Sequence, residues 1–122
     1  GPDFDGTIPD VMQKHLRDAG AWLKVNGEDI YGTTYWSRMA QLGDLRFTVK
    51  QNDAFYVHSL VAPGSRFVVD APVPIRSGDR VTLLGYRGNL HWSVENGALV
   101  IDVPAAARQA GRFAWVFKIA WS

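Results

Sequence analysis

Hydrophobic and polar positions follow a helical period at the start of the chain. Apolar or partly apolar side chains recur there every three or four residues, at Val11, Met12, His15, Leu16, Ala19, Trp22 and Leu23. This spacing predicts one N-terminal α-helix with a single apolar stripe. Thr7 and Asp10 resemble a capping box, Pro9 fits the first helical turn, and Asn26-Gly27 predicts the turn that follows.

From Leu45 the period changes to two, which predicts a first β-hairpin. Its strands are Leu45–Lys50 and Ala54–Val61, joined by a three-residue loop. In this register Phe47 faces Val57 and Val49 faces Phe55 on the apolar side. On the other side Thr48 faces Tyr56 and Arg46 faces His58, and we expect the His58 side chain to face solvent.

A second hairpin is predicted at Leu90–Glu95 and Ala98–Val103. Its turn is Asn96-Gly97, the pair that a type I′ turn favours. We expect the pairs Val94–Leu99, Trp92–Ile101 and Leu90–Val103 to form one dry face. Ser93–Val100 and His91–Asp102 then form the other face, which we expect to be exposed at His91.

Three further strands complete the predicted fold. They are Arg66–Asp70, Arg80–Tyr86 and Phe113–Trp121, and the last places five large apolar side chains on one face, as a central core strand does. Short strands separated by Pro- and Gly-rich turns are typical of sandwiches. The chain is therefore predicted to be mainly β, an antiparallel β-sandwich of about seven to eight strands preceded by one N-terminal α-helix.

Composition excludes several classes of function. The chain has 122 residues with 13 basic and 12 acidic side chains, and this balance argues against a nucleic-acid partner. The absence of Cys removes thiol nucleophiles and Cys-containing zinc sites. No apolar run approaches the roughly 20 residues of a membrane span, so no membrane partner is expected.

Catalytic and cofactor motifs are also missing. There is no G-x-S-x-G and no Gly-rich phosphate loop. His15, His58 and His91 are far apart in sequence, so no metal site is expected. The two glutamates, Glu28 and Glu95, do not form the carboxylate pair that glycoside hydrolysis requires. We expect no catalytic residue, no metal and no cofactor.

Aromatic residues are the one compositional excess, with 5 Trp, 4 Tyr and 6 Phe. Periodicity assigns core positions to Trp22, Trp92, Trp115 and Trp121. It does not explain Tyr31, Tyr35, Trp36 and Tyr86, which are predicted in loops or at strand edges. These four side chains are candidates either for burial against another domain or for stacking on a sugar.

Several segments resemble one family of enzymes. Gly1–Pro9 is similar to the stretch after the last barrel strand of α-L-fucosidases, and Ala21–Thr33 to their G-x-W-L-x-x-N-G-E-A-I-Y-x-T signature, with Asp29 in place of Ala. Further on, Arg46–Lys50, Val81–Gly85 and Ala114–Ile119 resemble motifs of the carboxyl-terminal domain of this family, in the same order.

The resemblance implies two parts. Residues 1–40 would be the last helix and linker of a (β/α)₈ catalytic barrel, and residues 41–122 the carboxyl-terminal β-sandwich domain. Members of the family are retaining glycosidases. Their catalytic carboxylates belong to the barrel, so no catalytic residue can be assigned to this chain. Family members meet glycans outside the cytosol, which implies a periplasmic, secreted or lysosomal protein.

Two functions are compatible with this resemblance. In the first, the chain is an accessory domain that packs on and stabilises the barrel, with Trp22, Leu23 and Ile30 in the contact, and that self-associates when the contact is left open. In the second, it is a free-standing carbohydrate-binding module for fucosylated glycans.

Overall fold

Strands dominate the computed structural model, which describes residues 24–25, 28–29, 33–110 and 114–122. In chain order the elements are β1 (Lys24–Val25), β2 (Glu28–Asp29), β3 (Thr34–Tyr35), β4 (Gln41–Leu42), β5 (Leu45–Lys50), β6 (Ala54–Ser59), β7 (Arg66–Val69), β8 (Arg80–Leu83), β9 (Trp92–Glu95), β10 (Ala98–Asp102), α1 (Ala105–Arg108) and β11 (Trp115–Ala120). The predicted N-terminal helix lies outside the described residues.

Two antiparallel sheets form the sandwich. The larger has the order β3-β5-β6-β11-β8, with β4 also paired to β5, and the smaller has the order β7-β10-β9. The short strands β1 and β2 pair with each other. The predicted β-sandwich is confirmed, and the described part contains more strands than expected because it includes four that are only two residues long, β1 to β4.

The main core lies between the two sheets. Its buried side chains come from both sheets and include Phe47, Phe55, Val57, Val69, Leu83, Leu99, Ile101, Phe117 and Ile119. The rings of Phe67 in β7 and Phe117 in β11 stack across the interface, with centroids 4.6 Å apart and planes 18° from parallel. Aromatic contact of this kind stabilises the packing beyond the area it buries.

The first hairpin has the predicted register. Phe47 pairs with Val57 and Val49 with Phe55, and Arg46 pairs with His58 on the other face. β11 pairs with β6 on one side and with β8 on the other. Its predicted position as a central strand is therefore confirmed.

The second hairpin is also confirmed in register, with Val94 opposite Leu99 and Trp92 opposite Ile101. Asn96 and Gly97 have φ values of 54° and 80°, the left-handed conformation that a type I′ turn requires. The predicted dry face is wrong at Val94, which is 52% exposed. This residue lies at the turn end of the hairpin, next to exposed Glu95 and Asn96 and beyond the cover of the facing sheet.

The second hairpin stays paired as far as the predicted His91–Asp102 position, where the Asp102 N–H donates to the His91 carbonyl at 2.9 Å. The predicted Leu90–Val103 pair, one residue further, lies beyond the register of the β9–β10 ladder. The Leu90 N–H donates to the carbonyl of Val81 in the larger sheet, and the Val103 N–H donates to the carbonyl of Ser65 just before β7. In this way the hairpin joins the two sheets at one end of the sandwich.

The expectation for His58 is wrong. It lies beside a second buried cluster on the outer face of the larger sheet, opposite the main core, with its ring next to that of Tyr56, and its side chain is fully buried. We call this group the outer cluster; its members are Ala54, Tyr56, Leu84, Ala114 and Val116. Both faces of β6 are buried, so the polar alternation of its sequence does not mark a solvent-facing side.

Candidate functional site

The structure separates the aromatic residues that were predicted as a site. Tyr35 and Trp36 lie at the β3 edge of the larger sheet, whereas Tyr86 follows β8 at the opposite edge. Tyr31, Trp22, Leu23 and Ile30 fall outside the described residues. The three aromatic side chains that are described do not form one common platform.

Trp36 is partly buried and packs against the main core. Its ring is nearly perpendicular to those of Phe47 and Phe55, with centroid distances of 5.7 and 4.9 Å. Its neighbour Tyr35 packs instead against the outer cluster. Tyr86 is half-buried against the main core, and its N–H donates to the Leu83 carbonyl.

The other three described tryptophans connect separate segments of the chain through their indole N–H groups. Trp92 donates to the carbonyl of Asp79 at 3.1 Å, Trp115 to that of Arg108 at 2.9 Å, and Trp121 to that of Pro74 at 2.8 Å. All three also pack against the main core, as periodicity predicted. Their polar role was not predicted, because a sequence pattern does not show which loop carbonyl an indole will reach.

His58 forms a buried polar pair. Its Nε2 atom is hydrogen-bonded to Thr48 Oγ1 at 2.8 Å across the β5–β6 hairpin. Burial lowers the pKa of the imidazole from 6.5 to about 4, because the charged form loses its hydration. The ring is therefore neutral at pH 7 and serves as part of the packing.

A surface pocket of about 510 Å³ lies at the end of β11, and we call it the Trp121 pocket. Three chain segments line it: the β5–β6 turn, the loop before β8, and the residues after β11. The lining residues are Asn52, Pro74, Ile75, Arg76, Asp79, Trp121 and Ser122. Periodicity predicted a core position for Trp121 and gave no indication of a pocket there.

Asp79 fixes the shape of this pocket. The carboxylate is only 5% exposed, and it accepts hydrogen bonds from the backbone N–H groups of Arg76 at 3.0 Å and Ser122 at 2.9 Å. Burial acts to raise the pKa of this carboxyl, but the hydrogen bonds from Ser122 and Arg76 and the charge of Arg76 bring it below the ordinary value. Asp79 therefore stays ionised at pH 7 and joins two separate segments.

Acidic and imidazole side chains do not gather into a metal site within the described part of the chain, where no group of three His, Cys, Asp or Glu residues is found. No helix in that part has the length and apolar character needed to cross a membrane.

Comparison with known proteins identifies the family. The family model of the α-L-fucosidase C-terminal domain matches residues 40–120. Human plasma α-L-fucosidase is 36% identical over 109 residues, which cover 85% of this chain and 23% of that protein. The α-L-fucosidase of Branchiostoma floridae is 30% identical over 124 residues, covering 98% of this chain and 27% of that protein.

Solved structures agree with this assignment. The crystal structure of Thermotoga maritima α-fucosidase in complex with fucose matches 98% of this chain at 32% identity, with a TM-score of 0.62. The complex of the same enzyme with a mechanism-based inhibitor matches 99% at 31% identity, with a TM-score of 0.64. These matches cover 28% and 29% of the Thermotoga chains, so the present chain spans about a quarter of the length of its relatives. It belongs to the α-L-fucosidase C-terminal domain family.

Proposed function

We propose that this chain is the accessory domain of an α-L-fucosidase and that it packs on and stabilises the catalytic barrel of the parent protein. The observation that carries the proposal is the family match over residues 40–120. In this proposal the domain contributes no catalytic residue. The described carboxylates are consistent with such a role, since the buried one, Asp79, is held by backbone N–H groups as a structural element.

The division of the chain follows from the same proposal. Residues 1–40 hold the last helix of the barrel and the linker, with Trp22, Leu23 and Ile30 in the interdomain contact, and residues 41–122 form the sandwich. The pairing of Thr34 and Tyr35 with β5 supports a linker that joins the sheet directly. A linker anchored by strand pairing restricts the relative motion of the two domains.

Exposed apolar side chains beside the larger sheet offer one docking surface for the catalytic domain, although Val68 and Val94 of the smaller sheet are exposed to a similar extent. On the smaller sheet, Arg66 and Glu95 form an ion pair at 3.0 Å, on the face where Val100 lies between Val68 and Ser93. Such a charged pair suits a face exposed to water. At one end of the larger sheet, Leu42 in β4 is 38% exposed and Val61, two residues after β6, is 54% exposed; the Leu60 N–H donates to the Asp44 carbonyl nearby.

The experiment compares the parent protein with a form that lacks residues 33–122. We expect the deletion to lower the melting temperature and to increase binding of a dye that reports exposed apolar surface, because an interdomain contact is lost. Hydrolysis of a small aryl α-L-fucoside per folded molecule should be retained, since the domain contributes no catalytic group.

Two results would contradict the proposal. An unchanged melting temperature after the deletion would exclude a stabilising contact. Loss of the aryl fucosidase activity in a form that remains folded would show that this domain contributes to the chemistry. If only hydrolysis of large glycans decreased while the melting temperature stayed the same, the domain would instead act as a carbohydrate-binding module.

A further inference from the structure

We propose that the Trp121 pocket binds the ring of a neutral carbohydrate, with the Trp121 indole as the stacking surface and Arg76 and Asn52 as the hydrogen-bonding groups. This site differs from the aromatic residues singled out in the sequence. It is also independent of the proposed docking function, because it concerns a surface that the isolated chain already presents.

The shape of the pocket fits a small ligand. Its volume of about 510 Å³ lies within the range of small-molecule sites and leaves room for one or two sugar rings. Pro74, Ile75 and Trp121 form an apolar wall, and Arg76 and Asn52 are exposed polar residues of the lining. An apolar wall with a few polar groups is the general composition of a binding site, and it suits the apolar face and the hydroxyl edge of a pyranose.

The stacking surface is held before any ligand arrives. The indole N–H of Trp121 donates to the Pro74 carbonyl at 2.8 Å, and its backbone N–H donates to the Asp53 carbonyl at 3.3 Å. These bonds fix the ring between the β5–β6 turn and the loop before β8. Because the ring is already fixed, little conformational entropy is lost when a ligand stacks on it. This favours the binding of a sugar, which makes few contacts.

The backbone that carries the two polar side chains is fixed as well. Asn52 has a φ of 60°, the left-handed conformation that sets the β5–β6 turn. Arg76 begins the turn that ends at Asp79. The Asp79 carboxylate closes this turn by accepting a hydrogen bond from the Arg76 N–H. The amide of Asn52 can both donate and accept, and the guanidinium of Arg76 donates, which together match sugar hydroxyls.

Charge balance selects a neutral ligand. Arg76 carries one positive charge and the ionised Asp79 one negative charge, so the charges of the lining cancel. The carboxylate oxygens of Asp79 already accept hydrogen bonds from backbone N–H groups. Among the lining residues, Arg76 is the cationic side chain, so the lining holds no cluster of positive charges. A phosphate or another anion would gain little here, whereas an uncharged polyhydroxylated ring fits.

The test is a titration of the full chain, followed by ¹H–¹⁵N spectra of the Trp indole groups. The probes are methyl β-D-galactopyranoside, methyl α-L-fucopyranoside and lactose, with methyl β-D-glucopyranosiduronate as the anionic counterpart. We expect the Trp121 indole signal, assigned with Trp121→Phe, to shift and saturate with at least one neutral probe at millimolar concentration. Weak sugar binding of this strength is typical of a shallow site with few hydrogen bonds.

Matched variants make the test specific. Asn52→Gly keeps the left-handed turn and removes the amide, and Arg76→Ala removes the guanidinium of an exposed residue. Each should weaken binding about 3–10-fold, the loss expected for one hydrogen bond. Asn96→Gly, at the equivalent left-handed position of the other hairpin, and Arg87→Ala, at an exposed position outside the pocket, should leave binding unchanged.

Three outcomes would overturn the proposal. The first is no saturable shift with any neutral probe up to about 100 mM, a range that would detect even very weak affinity. The second is binding that neither Asn52→Gly nor Arg76→Ala weakens in folded protein. The third is binding of the anionic probe alone, which would mean that Arg76 attracts negative charge without recognising a sugar. None of these results depends on how the domain docks in a parent enzyme.

Discussion

His58 is the residue whose chemistry depends most on its place in the fold. The same imidazole on an exposed strand would titrate near its ordinary pKa, but here the outer cluster and the hairpin remove it from water. Its bond to Thr48 satisfies Nε2, whereas Nδ1 has no hydrogen-bond partner among the described residues. Protonation would place a positive charge in this apolar setting, where the charge loses its hydration, and this would destabilise the folded state.

We therefore predict a specific loss of stability in mild acid. The pKa of His58 is 6.5 when unfolded and about 4 when folded, so between these values the unfolded chain binds the proton and the folded chain does not. Stability from this source is complete above pH 6.5, decreases as the pH falls and levels off below about 4. The total loss is about 3 kcal/mol.

The measurement is urea unfolding of the full chain at several pH values from 7.5 to 4. His58→Gln cannot titrate, so its free energy of unfolding should change less over this range than that of the parent sequence. His91→Gln, at an exposed position, is the matched control and should keep the parent pH dependence. If His58→Gln and the parent show equal slopes, the buried imidazole is not the source of the acid sensitivity.

At the scale of elements, hairpins could be predicted because turn chemistry and alternation agree. Asn96-Gly97 fixed the turn type, and the apolar pairs on either side fixed the register, so a slip by one residue would have exposed Leu99 and Ile101. The strand predicted over Arg80–Tyr86 ends earlier, at Leu83, because Gly85 has a φ of 91° and turns the chain. A single Gly in a β pattern was the available signal for that end.

Other elements were missed for identifiable reasons. Helix α1 follows Pro104 and consists of Ala, Ala, Ala and Arg, a helix-favouring sequence that was too short to stand out. Burial on both faces of the larger sheet was missed because it depends on contacts distant in sequence. The Trp121 pocket was missed for the same reason, since it needs three segments that only the fold brings together.

The type I′ turn of the second hairpin gives a prediction at this scale. Gly97 has a φ of 80° with open space around its Cα, so Gly97→Ala should strain the backbone without a steric clash. We expect a destabilisation of about 1–2 kcal/mol. Gly64→Ala is the control, since Gly64 is equally open but its φ is not in the left-handed range, and this variant should be neutral or slightly stabilising.

Chemical denaturation of the two variants, compared with the parent chain, provides the measurement. Equal effects at Gly64 and Gly97 would mean that the left-handed turn does not constrain the hairpin. A loss confined to Gly97→Ala would show that the turn conformation itself contributes to the stability of β9 and β10.

At the scale of the whole molecule, the sandwich has one outer face that carries an exposed ion pair and one that is closed by a second cluster. The main core packs the two sheets against each other, and the stacked Phe67 and Phe117 rings are one contact between them. The outer cluster adds buried area on the far side of the larger sheet, which is unusual for a sheet that faces water. This asymmetry suits a domain that acts as one part of a larger protein.

The docking proposal predicts that two partly exposed apolar residues matter more in the parent protein than in the isolated chain. Leu42→Ser with Val61→Ser should destabilise the isolated chain by about 1–2 kcal/mol, because each side chain is only partly buried there. In the parent protein the same pair should lower the melting temperature by several degrees, since contact with the catalytic domain would be lost. Val68→Ser with Val94→Ser, equally exposed residues on the smaller sheet, form the matched control. Calorimetry of both forms distinguishes the cases: equal effects of the two pairs in the parent protein would exclude the Leu42 and Val61 end of the larger sheet as the docking surface.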